Sequence, residues 1–217
     1  MAEKLKLAVV TGGHSYDVVN FHRLFAAIDG VEPFIQHMDD FASSDEATRD
    51  SYDVVLFYIM LMQTPAPGAA WYAGDANAAL EHLGTRPGQG IFVLHHAILA
   101  YPEWPLWTEI TGLADRKFDY HPEQAITVHV ADAAHPITKG LTDWQMGDET
   151  YTMAEPEKSR VLLATEHPKS MKAIAWTREH RASRVFCFQS GHDNVTWADS
   201  NFREVLKRGI LWCAKKL

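Results

Sequence analysis

Histidine is the residue type from which the chemistry of this chain can be read. There are 12 of them, and imidazole both titrates near neutrality and commonly ligates metals. Three follow short apolar runs, at once or after a turn. His14 comes after Leu5–Val10 and the turn Thr11-Gly12-Gly13; His95, with His96 beside it, comes after Gly90–Leu94; His192 lies in Ser190-Gly191-His192-Asp193, after Arg184–Gln189. The glycines beside His14 and His192 allow close backbone approach. A carboxylate, Glu149, falls in Gly147-Asp148-Glu149-Thr150-Tyr151, just beyond a short strand pattern.

Taken singly, a histidine after a strand most often caps a helix or binds a carbonyl, and an Asp-Glu pair reads as solvated turn residues. Three such exits together favour function. His14, His95, Glu149 and His192 form a set suited to proton transfer at neutral pH. The same four would be an acceptable ligand set for a divalent metal such as zinc. Because their spacing matches no local metal motif, acid–base work is the first reading and a metal the second. Trp104, Trp107 and Trp197 follow the exits in sequence. Packing is their default role, but indole faces also suit a polar–apolar ligand such as a sugar. Trp104, Trp197, His96 and His121 are the candidate substrate contacts.

Those assignments need elements to bring them together. Leu5–Val10, Phe34–Met38, Tyr52–Ile59 and Gly90–Leu94 read as strands, with helical spacing from Val18 to Ile28, from Ala70 to Leu83 and from His95 towards Ile110. Ala42–Asp50 reads as a solvated connection or short helix. Later strand patterns are Ile126–Val130, Val161–Thr165, Ala173–Thr177 and Arg184–Gln189, and Ser200–Ala214 closes the chain as an amphipathic helix. Alternation of strand and helix through residue 110 predicts an α/β fold with a mainly parallel sheet, in one domain over residues 1–217. In such sheets ligands sit beyond the carboxyl ends of the strands, which is where the histidine exits fall.

Composition narrows the partners. With 20 basic against 28 acidic residues the net charge is −8, which disfavours nucleic acid and anionic lipid. No apolar run reaches the length of a membrane helix, and the start of the sequence lacks a signal-peptide pattern. With two cysteines and no CxxC spacing, the chain reads as reduced and cytoplasmic. Cys187 lies within a strand pattern and Cys213 within the last helix, so neither is placed as a nucleophile. The elbow, zincin, P-loop and dinucleotide motifs are absent. The last helix is compatible with a homo-oligomer of unspecified symmetry.

Six ordered motifs then carry a resemblance: Gly12-Gly13-His14; Gly90-Ile91-Phe92-Val93-Leu94-His95; His135-Pro136-Ile137-Thr138-Lys139-Gly140-Leu141; Asp148-Glu149-Thr150-Tyr151; Arg184-Val185-Phe186 with Ser190-Gly191-His192-Asp193; and Arg208-Gly209-Ile210-Leu211-Trp212. Across nearly its whole length the sequence resembles the ThuA-like, or trehalose-utilisation, family. The resemblance implies a flavodoxin-like three-layer α/β/α sandwich of the class I glutamine amidotransferase type. It also implies a role in using trehalose or a related disaccharide, in a family commonly found alongside sugar oxidoreductases. The position of the amidotransferase cysteine is matched by His95, which implies the fold without glutaminase chemistry. His96 departs from the small residue usual there, and Gly112–Phe118 only loosely replaces a Gly-Gly-x-Phe pattern. The alternative function is a sugar- or partner-binding module without turnover.

Overall fold

The computed structural model describes residues 4–68 and 73–217; the start of the helical pattern read from Ala70 lies outside them. The first half alternates strand and helix: β1 (Leu5–Gly12), α1 (Val18–Ala26), β2 (Val31–His37), α2 (Met38–Ser43), α3 (Glu46–Asp50), β3 (Val54–Ile59), α4 (Ala76–Glu81) and β4 (Gly90–Leu94). Aspartates define several helix starts. The side chains of Asp17, Asp75 and Asp199 accept the backbone N–H three residues on, which satisfies a donor the helix itself cannot pair. After β4 the expected helix divides into a 3-10 turn (His95–Leu99) and α5 (Pro105–Thr111).

The second half supplies β5 (Phe118–Val130), β6 (Trp144–Met153), β7 (Arg160–Ala164), β8 (Ala173–His180), β9 (Ser183–Phe188), α6 (Asn194–Ala198) and α7 (Ser200–Cys213). The sheet order is β2-β1-β3-β4-β9-β8-β7-β5-β6. From β2 to β9 neighbours run parallel, and from β9 to β6 they run antiparallel. The sheet is therefore mixed, which corrects the expectation of a mainly parallel one. The reason lies in the connections. Only Arg181 and Ala182 join β8 to β9, whose end residues His180 and Ser183 pair, and a parallel crossover needs a dozen residues or more.

Side chains on the two faces of the sheet fill two cores. On one face Leu7, Val9, Leu56 and Phe186 pack against Phe21 and Phe25 of α1 and Phe202, Leu206 and Ile210 of α7. On the other, Val10, Phe57, Val93 and Cys187 pack against Phe41 of α2, Leu80 of α4 and Trp107 of α5. Three layers result, with β3 and β4 buried along their whole length, as expected of strands covered on both faces. Cys187 and Cys213 are both buried, and burial raises both thiols, so they pack rather than react. Among the described residues no helix is long and apolar enough to cross a membrane.

Two histidines away from the strand exits make stability pH-dependent. His135 and His180 are 3% and 4% exposed. Burial depresses both, reinforced by Arg160 and Arg184 at His135, and by Arg181 and Arg178 at His180, against the opposing pull of Asp132 and Glu109. The native state thus holds them neutral, while the unfolded chain takes up protons near pH 6.5. Their contribution is complete above that value and is lost as pH falls through it. Urea midpoints should drop between about pH 7.5 and 5.5, and the drop should shrink in His180→Phe. An unchanged slope in that variant would remove His180 from the account.

Candidate active site

Four parallel strands deliver the site at their carboxyl ends. β1 leads to His14, β4 to His95 and His96, and β9 to His192, while the last residue of β3, Ile59, accepts a hydrogen bond from the His96 Nδ1–H at 2.9 Å. The rings form one group. His14 and His96 are 4.7 Å apart by centroid, His95 and His96 5.2 Å, His95 and His192 5.2 Å, and His14 and His192 5.9 Å. The glycines serve the turns themselves. Gly13 is at φ +77°, and a Cβ there would lie 2.3 Å from the Met60 carbonyl oxygen.

The carboxylate side comes from the other half of the sheet. Although β6 is the last strand of the order, β5 meets β7 only at His129 and Val130, and β6 reaches the turns after β4 and β9 through Tyr151 and Asp148. Glu149 sits within β6, not beyond a strand as its sequence position implied. Strand alternation sends Glu149 and Tyr151 to one face and Asp148 and Thr150 to the other. The Tyr151 hydroxyl lies 2.8 Å from His95 Nε2. Glu149 Oε1 lies 3.7 Å from His95 Nε2 and 3.5 Å from His192 Nδ1. His95 Nε2 and His192 Nδ1 are 3.2 Å apart.

His95 is the centre of this arrangement and is fully buried. Its φ is +53°, a left-handed conformation that a non-glycine residue holds only when its surroundings impose it. The Nδ1–H donates to the Gln189 carbonyl at 2.7 Å. That bond fixes the ring so that Nε2 faces Tyr151, His192 and Glu149. Burial alone would raise the Glu149 carboxyl, but the hydrogen bond with His95, the imidazoles of His192 and His95, and the Tyr151 hydroxyl hold it below the usual carboxylate range. Burial and the neighbouring His95 lower His192. Burial first, then Glu149, pushes the Tyr151 hydroxyl well above its ordinary value, so it is a donor.

Asp148 has a role the sequence reading missed. Far from being a solvated turn residue, it is 4% exposed and accepts the backbone N–H groups of Glu149, Gly191 and His192 at 2.9, 3.0 and 3.1 Å, and the Thr196 hydroxyl at 2.8 Å. Burial raises its carboxyl, against the pull of His95 and these donors. One side chain thus ties β6 to the turn that carries His192. Tyr151 was also overlooked as a functional group. The available signal was its i+2 spacing from Glu149, which puts both on one strand face.

Of the remaining candidates, His96 belongs to the ring group and the others lie apart from it. Trp104 caps α5 and packs with Tyr101, 7% exposed. Trp197 is 3% exposed, packs on Phe21 and donates its indole N–H to the Gly191 carbonyl. Neither presents an open indole face, so both belong to the core and not to a ligand surface. His121 lies on β5 with its Nε2 2.8 Å from Thr152 Oγ1. The next residues, Pro122 and Glu123, form a bulge in the β5–β6 register. They and Gln124 border a cleft of about 360 Å³ whose other walls include Glu149, His192 and Asp193. His96 lies under the cluster, its Nε2 buried without a partner among the described residues.

The sequence matches the ThuA family, described as trehalose utilisation, over residues 24–213. The chain belongs to the ThuA family. Among solved structures, a ThuA-like protein from Parabacteroides merdae superposes with a TM-score of 0.74 at 19% identity, covering 97% of this chain and 90% of that one. A second ThuA-like protein, from Bacteroides uniformis, gives 0.72 at 17% identity, with 98% and 93% covered. A GMP synthase subunit from Thermoplasma acidophilum gives 0.59 at 14%, with 99% and 96% covered. At these identities the neighbours show the fold alone. No curated protein matches the chain in a sequence search.

Proposed function

We propose that this ThuA-family protein acts on a carbohydrate, trehalose or a related disaccharide or sugar derivative, at the His95–Glu149–His192 centre. The observation that carries the reading is the placement of His95 Nε2 within hydrogen-bond reach of both Tyr151 Oη and His192 Nδ1, beside a cleft bordered by Glu149 and His192. Such a centre can take a proton from a sugar hydroxyl or carbon and return it to a leaving oxygen. The cleft is within the usual size of small-molecule sites, and its carboxylate, amide and imidazole groups match a hydroxyl-rich ligand. With His95 at the strand exit and both cysteines buried elsewhere, the chain's own thiols offer no route to glutaminase chemistry.

The test is product formation, followed by mass spectrometry, from a panel of disaccharides and their oxidised derivatives. The wild-type protein should turn over at least one of them, and His192→Gln should lose about 10²-fold in kcat/KM. Binding without product, unaffected by the substitution, would instead mark a sugar-binding module. Turnover unchanged in His192→Gln would reject the assigned centre.

A further inference from the structure

We infer that His95, His192 and Glu149 together hold a divalent cation of the zinc class. Their ligand atoms form a small triangle with edges of 3.2, 3.5 and 3.7 Å. The point equidistant from all three lies about 2.0 Å from each, which matches Zn–N bonds of about 2.0–2.1 Å and Zn–O bonds of about 2.0–2.2 Å. Two imidazoles and one carboxylate are a ligand set zinc uses when one position stays open for water or substrate. Here the open side would meet the cleft that Glu149 and His192 border.

The surroundings are those a metal-binding histidine needs. The His95 Nδ1–H is committed to the Gln189 carbonyl at 2.7 Å, which leaves Nε2 with the lone pair; a ligating imidazole is usually fixed in this way through its other nitrogen. An ion would take that lone pair in place of the Tyr151 hydroxyl, which lies 2.8 Å from it. Asp148 holds the backbone of both Glu149 and His192, so two of the three ligands share one anchor. With the His192 proton on Nε2, all three atoms turn lone pairs towards one point, and a cation there satisfies them at once. His14, read from the sequence as a fourth ligand, does not join the group whose ligand atoms lie within 4.8 Å of one another. A second group, Glu46, Asp50 and His82, also meets that distance. Its Glu46 is 67% exposed and its His82 ring faces Thr85 Oγ1 through both nitrogens, so it serves as the control.

The inference rests on the proposed function only for what the ion would do. Were the ion bound, His95, His192 and Glu149 would hold it and it would acidify a bound water, supplying the base in place of the free imidazoles. Binding itself is tested without sugar. Protein prepared without a polyhistidine tag and stripped with chelator is titrated with Co²⁺. One equivalent per chain should give the visible absorption of a low-coordinate site, displaced by Zn²⁺. His192→Ala and Glu149→Gln should each weaken binding at least about tenfold, and His82→Ala should leave it unchanged.

Absence of a saturable band, its persistence in both site variants, or its loss in His82→Ala would overturn the assignment. Anomalous scattering from crystals of the wild-type protein with Co²⁺ locates the ion whether or not a variant folds, and an ion elsewhere is equally fatal. If no ion binds while His192→Gln still abolishes sugar turnover, the inference fails and the proposed function stands. If an ion binds and no sugar reacts, the reverse holds.

Discussion

Replacing His95 by asparagine should leave a folded protein that has lost about 10²–10⁴-fold of its turnover. The backbone at this position is left-handed, with φ at +53°, and asparagine is several-fold enriched in that conformation. The substitution therefore relieves backbone strain, commonly of the order of 1–3 kcal/mol for a residue held in such a region. It also leaves a cavity where the ring was and ends the contacts of Nε2 with Tyr151 and His192. Strain relief and cavity cost oppose each other, so the melting temperature should move by only a few degrees. Activity should not survive, because the asparagine amide is neither acid nor base and does not reach the position of Nε2. Turnover within a factor of two of the wild type would show that His95 is a structural elbow and nothing more.

Asp148→Ala should have the largest effect on stability of any single substitution at the site, about 3–5 kcal/mol. The side chain is buried and its oxygens receive four donors from three segments, β6, the turn after β9, and α6. Removing it leaves the three backbone N–H groups without that acceptor, while the Thr196 hydroxyl keeps the Gly147 carbonyl at 2.9 Å; each buried unpaired group costs about 1–3 kcal/mol. Water entering the space would return part of that loss, which is why the simple sum is not expected. At this chain length the change corresponds to a fall in melting temperature of roughly 10 °C. Asp148→Asn should lie between, since its one carbonyl oxygen still accepts while its amide nitrogen faces other donors. Urea unfolding decides it: a loss below about 1 kcal/mol for alanine would mean that β6 is held to the turn after β9 by other contacts.

The two substitutions probe different kinds of information. His14, His95 and His192 follow strand exits that are visible in the local pattern, because an apolar run, a glycine turn and a polar residue are encoded within about ten residues. The carboxyl-end rule then places them at one edge of the sheet. That much is local. The antiparallel half is legible too, in the short connection between Thr177 and Arg184, but the helix–strand alternation of the first half suggests parallel pairing beyond the point where the helices stop.

What the sequence determined by itself was the inventory of imidazoles, their strand exits and the motifs that carry the ThuA resemblance. What only the tertiary structure decided was the meeting of β6 with the turns after β4 and β9, which makes Asp148 an anchor and brings Tyr151 to His95 across 56 residues of chain. It also decided that Trp104 and Trp197 pack inward and that His14 stands outside the three-atom triangle. Periodicity reports which way a side chain faces relative to its own element. Which distant element it then meets depends on how hairpins curl and stack, and that is set by long-range packing that no local window contains.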